Sequence, residues 1–94
     1  MDVKEINIEW CKKHGLIKQG MNVASCTSYN LTKDGWNVMH YNEDMRGTRS
    51  ITVFNHQTKE SSSIEYPYDY KYRKIVTEND LKLLFQLANV EYIF

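Results

Sequence analysis

Apolar residues recur along this chain with two different periods, and the change of period marks out the elements. Val3, Ile6 and Trp10 fall at helical spacing near the start. Asp2 stands ahead of them with Glu5 three residues on, an arrangement in which two side chains satisfy the free amides of a first helical turn. Lys12, Lys13 and His14 suit the negative end of a helix dipole. Gly15 can take the left-handed backbone conformation that ends a helix and lets Leu16 fold back on its last turn. A helix over 2–14 is predicted.

Beyond Gly20 the period drops to two. Met21, Val23, Thr27, Tyr29 and Leu31 share one parity; Asn22, Ala24, Cys26, Ser28 and Asn30 share the other. Asp34-Gly35 accepts the positive φ angles of a tight hairpin turn. That turn pairs Lys33 with Trp36, Leu31 with Val38 and Tyr29 with His40, and puts Tyr29, Leu31, Trp36 and Val38 on one face. A loop over 42–48 precedes a third strand at 49–55, with Ile51 and Val53 turned to the core. A polar loop over 56–61 then leads to a strand carrying the tyrosines of EYPYDYKYRKI.

Thr77 opens a second helix with Asp80 in capping-box position. Its buried stripe is Leu81, Leu84, Phe85 and Ala88, widened by Leu83 and Leu87. The tail VEYIF alternates Val90, Tyr92 and Phe94 and is the candidate for a fifth strand. The predicted fold class is α+β, one domain over 1–94 in the order α-β-β-β-β-α. An antiparallel sheet of four strands, or five with the tail, is covered on one side by the N-terminal and C-terminal helices.

Composition narrows the function more than the fold. Ninety-four residues supply one core. Twelve basic residues balance twelve acidic ones, so the basic excess typical of phosphate-neutralising domains is absent. Partners recognised by shape and apolar contact are favoured. Two cysteines are too few for a disulfide framework. MDVKEINIEW has no signal-peptide pattern, and no apolar run approaches the ~20 residues of a membrane span. A cytoplasmic protein with reduced thiols is expected. Abundant Asn, Lys, Ile, Tyr and Phe with scarce Pro and Ala give the bias of an AT-rich bacterial or viral genome.

Little in the sequence speaks for chemistry. Cys11 and His14 are spaced as a zinc half-site, and Cys26, His40 and His56 are the remaining candidate ligands. The hairpin register sets Cys26 and His40 on opposite faces, so no metal is expected, and no cofactor. Gly-x-Ser-x-Gly is missing, the serines Ser61 to Ser63 fall in a loop, and no glycine-rich phosphate loop occurs. Glu43 and Asp44 read as solvated charge.

The tyrosine row stands above this background. On a strand, Tyr66, Tyr68, Tyr70 and Tyr72 share one face, while Pro67, Asp69, Lys71 and Arg73 take the other. The row could be the inward face of a half-buried strand. Two details point outward: each buried tyrosine hydroxyl needs a hydrogen-bond partner, and Pro67 belongs at an edge, a bulge or a strand start. An edge strand bearing amphipathic rings suits a protein interface, through side chains and through strand addition. The predicted partner-binding residues are Tyr66, Tyr68, Tyr70, Tyr72 and Arg73, with Met45 and Arg46.

The function expected is that of a non-catalytic inhibitor or adaptor of phage or mobile-element type, with homodimerisation through the edge strand as one use of the edge. The first alternative is a binder of single-stranded nucleic acid or a small signalling nucleotide, stacking bases on the tyrosines. The second is a small enzyme built around His40 and Tyr29.

Overall fold

The computed structural model describes residues 5–19, 26–44, 48–66 and 76–94. Its elements are helix α1 (Ile8–Lys13), strands β1 (Ile17–Gln19), β2 (Cys26–Lys33), β3 (Trp36–Asp44), β4 (Arg49–Phe54) and β5 (Ser61–Tyr66), and helix α2 (Glu78–Leu87). The strands form one antiparallel sheet in the order β1-β2-β3-β4-β5. Strands adjacent in sequence are therefore adjacent in space, as short connections favour. The protein is α+β, ordered α-β-β-β-β-β-α.

α1 is shorter than its apolar spacing suggests. Glu5 bridges to Thr77, and the Ile6 amide donates to the Val76 carbonyl at 2.7 Å, which holds this stretch extended. Asn7 caps the helix instead, its side-chain oxygen accepting from the Trp10 amide at 2.9 Å. Asp2, the predicted cap, lies outside the described residues. The other end forms as predicted: Gly15 has φ 81°, and the Leu16 amide donates to the Cys11 carbonyl at 3.0 Å.

α2 starts at the predicted capping box, in which Asp80 accepts from the Thr77 amide at 2.9 Å and Thr77 accepts from the Asp80 amide at 3.4 Å. Thr77→Ala should lower stability by about 1 kcal/mol, seen as a lower denaturant midpoint at unchanged slope. The C-terminus is finished by a distant residue. Asn55 Nδ2 donates to the carbonyls of Ala88 and Asn89 at 3.1 and 3.0 Å, groups the helix leaves unpaired.

The β2–β3 hairpin turns at Asp34 and Gly35, with φ 54° and 82°. Lys33 faces Trp36 and Thr32 faces Asn37, but then the pairing slips. Leu31 faces Met39, Asn30 faces His40, and Tyr29 faces Tyr41. Val38 is the extra residue of a bulge, which replaces the predicted pairs of Leu31 with Val38 and Tyr29 with His40. The cause is an apolar doublet. Val38 and Met39 are 7% and 1% exposed, and a bulge buries two successive side chains where strict alternation buries one. Trp36, expected to share a face with Tyr29, Leu31 and Val38, is exposed, while Tyr29 and Val38 are buried.

Further differences concern strand limits. β3 runs on to Asp44, shortening the predicted loop over 42–48. Ser61 to Ser63, expected in a loop, open β5, whose ladder runs from Phe54–Ser61 to Arg49–Tyr66. Of the tyrosine row only Tyr66 belongs to a described strand. The fifth strand is β1 and not the tail. VEYIF alternates because its rings pack between the helices: Phe94 meets Trp10 at 4.8 Å and Tyr92 meets Phe85 at 5.3 Å, both edge to face.

The core lies between one sheet face and the helices. The sheet contributes Tyr29, Met39, Tyr41, Ile51 and Val53; the N-terminal region Ile6, Trp10, Cys11 and Leu16; the C-terminal region Val76, Leu81, Leu84, Phe85 and Ala88. The other sheet face carries polar rows, Asn30-His40-Thr52-Ser63 and Ser28-Asn42-Ser50-Glu65. Leu83 and Leu87 do not widen the buried stripe of α2. They are 53% and 60% exposed, about half a turn away from Phe85.

Candidate functional site

Two predicted binding segments are anchored at the same end of the sheet. Tyr66 closes β5 opposite Arg49. The Arg49 guanidinium donates to Glu5 through Nη1 and to Glu43 Oε1 through Nε at 3.1 Å. The Tyr41 hydroxyl donates to the same Glu43 oxygen at 2.8 Å. Glu5 in turn bridges Thr77, next to Val76. Segment 67–75 therefore departs at Tyr66 and rejoins at Val76 around a single cluster of charges. Asp44 and Thr48, which flank residues 45–47, lie beside it, where the Asp44 amide donates to the Thr48 carbonyl at 3.0 Å and the Thr48 amide to Asp44 Oδ1 at 2.9 Å. Met45, Arg46, Tyr68, Tyr70, Tyr72 and Arg73 themselves lie outside the described residues.

Electrostatics lock this cluster in one protonation state. Burial works against the Arg49 charge, but the hydrogen bond and charge of Glu5, aided by Glu43, raise its pKa above the usual value. Burial, and then the hydrogen bond to Glu43, push the Tyr41 phenol far above its normal range, so it remains a donor. Burial, reinforced by the Glu43 charge, pushes the Cys11 thiol up to about 12. A neutral, enclosed thiol is a poor nucleophile. Cys11 should resist iodoacetamide at pH 8 in the native protein and react at the rate of an ordinary thiol once unfolded; peptide mapping that shows fast native labelling would contradict this. The linkage has a definite sign. Above pH 9 the unfolded chain ionises this thiol while the native protein does not until about pH 12, so Cys11 withdraws stability as pH climbs through that window.

The remaining sequence candidates are dispersed. His40 Nδ1 bonds to Asn30 Oδ1 on the polar sheet face, so the ring nitrogen donates to a carboxamide. The register puts Tyr29 on the buried face, away from His40. His14 lies against the rings of Trp10 and Phe94, at 4.2 and 5.5 Å, while Cys11 points into the core. Cys26 sits opposite Asp44 at the end of β2, and His56 stacks on Trp36. Among the described residues no three His, Cys, Asp or Glu side chains are grouped to hold a metal ion.

Compared with known proteins, the chain matches no family model, no curated protein and no solved structure. Among the described residues no helix is long and apolar enough to cross a membrane.

A second surface feature escaped the sequence reading. At the opposite end of the sheet the Trp36 and His56 rings stack in parallel, 4.9 Å apart, with the Lys59 ammonium 5.9 Å from the indole. Gly35, Trp36, Asn37, Thr52 and Phe54 line a shallow depression beside them. Nothing in the spacing of Trp36 and His56 announces their contact. They meet because Asn55 ties the β4–β5 loop, accepting from the amides of Gln57 and Thr58 at 3.0 and 3.2 Å.

Proposed function

We propose that this chain is a non-catalytic cytoplasmic domain that binds another protein through the tyrosine row, as an inhibitor or adaptor of phage or mobile-element type. One observation carries the reading: Tyr66, which precedes the rest of the tyrosine segment, and Asp44 and Thr48, which flank Met45 and Arg46, lie at one end of the sheet, at edge strand β5 and its neighbours. A partner could contact both segments and the edge at once. Rigid strands supply the anchors, which limits the ordering cost of binding. The titratable groups beneath them support a binding role over a catalytic one. Tyr41 and Cys11 are held neutral, and Arg49 is matched by two carboxylates, so none is poised to exchange protons near neutral pH.

The nucleotide reading draws on Trp36, whose exposed indole, with Phe54 and Lys59 nearby, resembles a stacking platform. Charge counts against it at the tyrosine corner. Arg46, Lys71, Arg73 and Lys74 offer cations, but Glu5, Glu43, Asp44 and Glu65 stand around their anchors. Salt separates the two. Capture of a protein partner should change little between low and physiological salt, because buried aromatic area is not screened. A polynucleotide held by those four cations should give a slope of log affinity against log salt near about −3, roughly a 60-fold loss over a fourfold rise. A steep slope would overturn the protein-partner reading.

A further inference from the structure

The tail VEYIF is fastened differently on the two sides of Val90. Up to that residue the backbone is tied down. Asn89 turns the chain at φ 58°, its carbonyl accepts from Asn55 Nδ2 at 3.0 Å, and the Val90 amide donates to the Phe85 carbonyl at 2.9 Å. Residues 91–94 belong to no helix or strand, and among the described residues their backbone makes no hydrogen bond. Rings hold them instead. Phe94 sits in a cleft between α1 and α2, with Trp10 at 4.8 Å, His14 at 5.5 Å and Phe85 at 6.0 Å. Tyr92 lies on Phe85 at 5.3 Å, with the Lys82 ammonium 5.6 Å from its ring. Glu91 and Ile93 are exposed between these partly buried neighbours, the alternation of an extended segment. The cleft therefore holds two aromatic side chains spaced two apart and leaves the residues between them in water.

The fit is incomplete. Trp10 is 6% exposed, yet its indole Nε1–H has no hydrogen-bond partner, and the buried Tyr92 hydroxyl has none either. Closing the tail over the cleft buries aromatic surface but takes two polar groups out of water without replacing their hydrogen bonds, which offsets part of the gain. An occupant that offers Trp10 an acceptor would hold the cleft more firmly than the tail does.

We propose that the cleft between α1 and α2 is a seat for an extended segment of another protein bearing aromatic residues two apart, and that VEYIF is its resident occupant, which such a segment displaces. The seat is built on the helices and works independently of the tyrosine row. In the free chain the tail keeps it closed, because an occupant on the same chain competes at high effective concentration. An arriving segment binds as the tail does, through side chains set at alternate positions.

Replacing Tyr92 and Phe94 together by serine empties the seat in the full chain. The peptide Val-Glu-Tyr-Ile-Phe, followed through the Trp10 indole resonance by NMR, should bind this variant about tenfold or more tightly than it binds the wild type, whose own tail competes. Gly-Ser-Tyr-Ser-Phe, which keeps only the aromatic pair, should bind the variant too, and Val-Glu-Ala-Ile-Ala should not. A second measurement needs no substitution. In the wild type the Trp10 Nε1–H, relative to its intrinsic rate, should exchange with solvent about tenfold or more faster than the amides of Ile51 and Val53, because the tail lifts while the sheet stays folded. Indole exchange as slow as those amides would mean that the tail leaves only on global unfolding. That result, a folded serine variant that binds neither aromatic peptide, or one that binds the alanine peptide equally well would each overturn the proposal.

Discussion

Arg49→Ala should lower the unfolding free energy by about 3 kcal/mol, a loss of roughly 15 °C in melting temperature for a domain of this size. The guanidinium is 14% exposed and sits between Glu5 and Glu43. Removing it leaves two partly buried carboxylates facing each other, with the Tyr41 hydroxyl as the described partner of Glu43. Mutual repulsion and lost hydrogen bonds both act against the folded state. Solvent screening at Glu5 and Glu43, which are 29% and 25% exposed, keeps the effect below that of a fully enclosed pair. Arg49→Ala combined with Glu43→Gln should recover part of the loss, because one repelling charge is gone. A single variant as stable as wild type would mean that the corner is held by packing alone. The substitution should also weaken partner binding beyond its effect on the folded population, since Arg49 ties β3 and the Glu5 segment to the end of β4, opposite Tyr66, after which the tyrosine row follows.

This corner was only half legible in the sequence. The tyrosines and the Met45-Arg46 tip are conspicuous as residue types, but Glu5, Glu43 and Arg49 lie far apart in the chain and no spacing rule connects them. The α+β class followed from the two hydrophobic periods and from local signals that each have one physical solution: Gly15 and Leu16 at the end of α1, Asp34-Gly35 in the hairpin, Thr77 with Asp80 at the start of α2. Misreadings arose where tertiary contacts overrode local preference. Glu5 and Ile6 have helical spacing but are held extended by Val76 and Thr77. Tyr92 and Phe94 have strand spacing but pack as rings between the helices. The Val38-Met39 doublet was the visible sign of the bulge, since a regular strand with one wet face has no use for two adjacent apolar residues. The exposure of Leu83 and Leu87 had no such sign, because an apolar pair at helical spacing reads the same whether it faces the core or solvent.

The binding claim rests on what the tyrosines do, and replacing Tyr68, Tyr70 and Tyr72 together by serine tests it most directly. Host lysate passed over the immobilised wild-type chain supplies the partner, and the variant is measured beside it for capture and for stability. The expected result is loss of partner capture with a stability change of no more than about 2 kcal/mol, since rings that meet a partner leave the fold intact when removed. Three rings serving as core would instead cost about 3 kcal/mol or more each and unfold the domain. A variant that unfolds, or one that stays folded and still captures the partner, would contradict the proposed function.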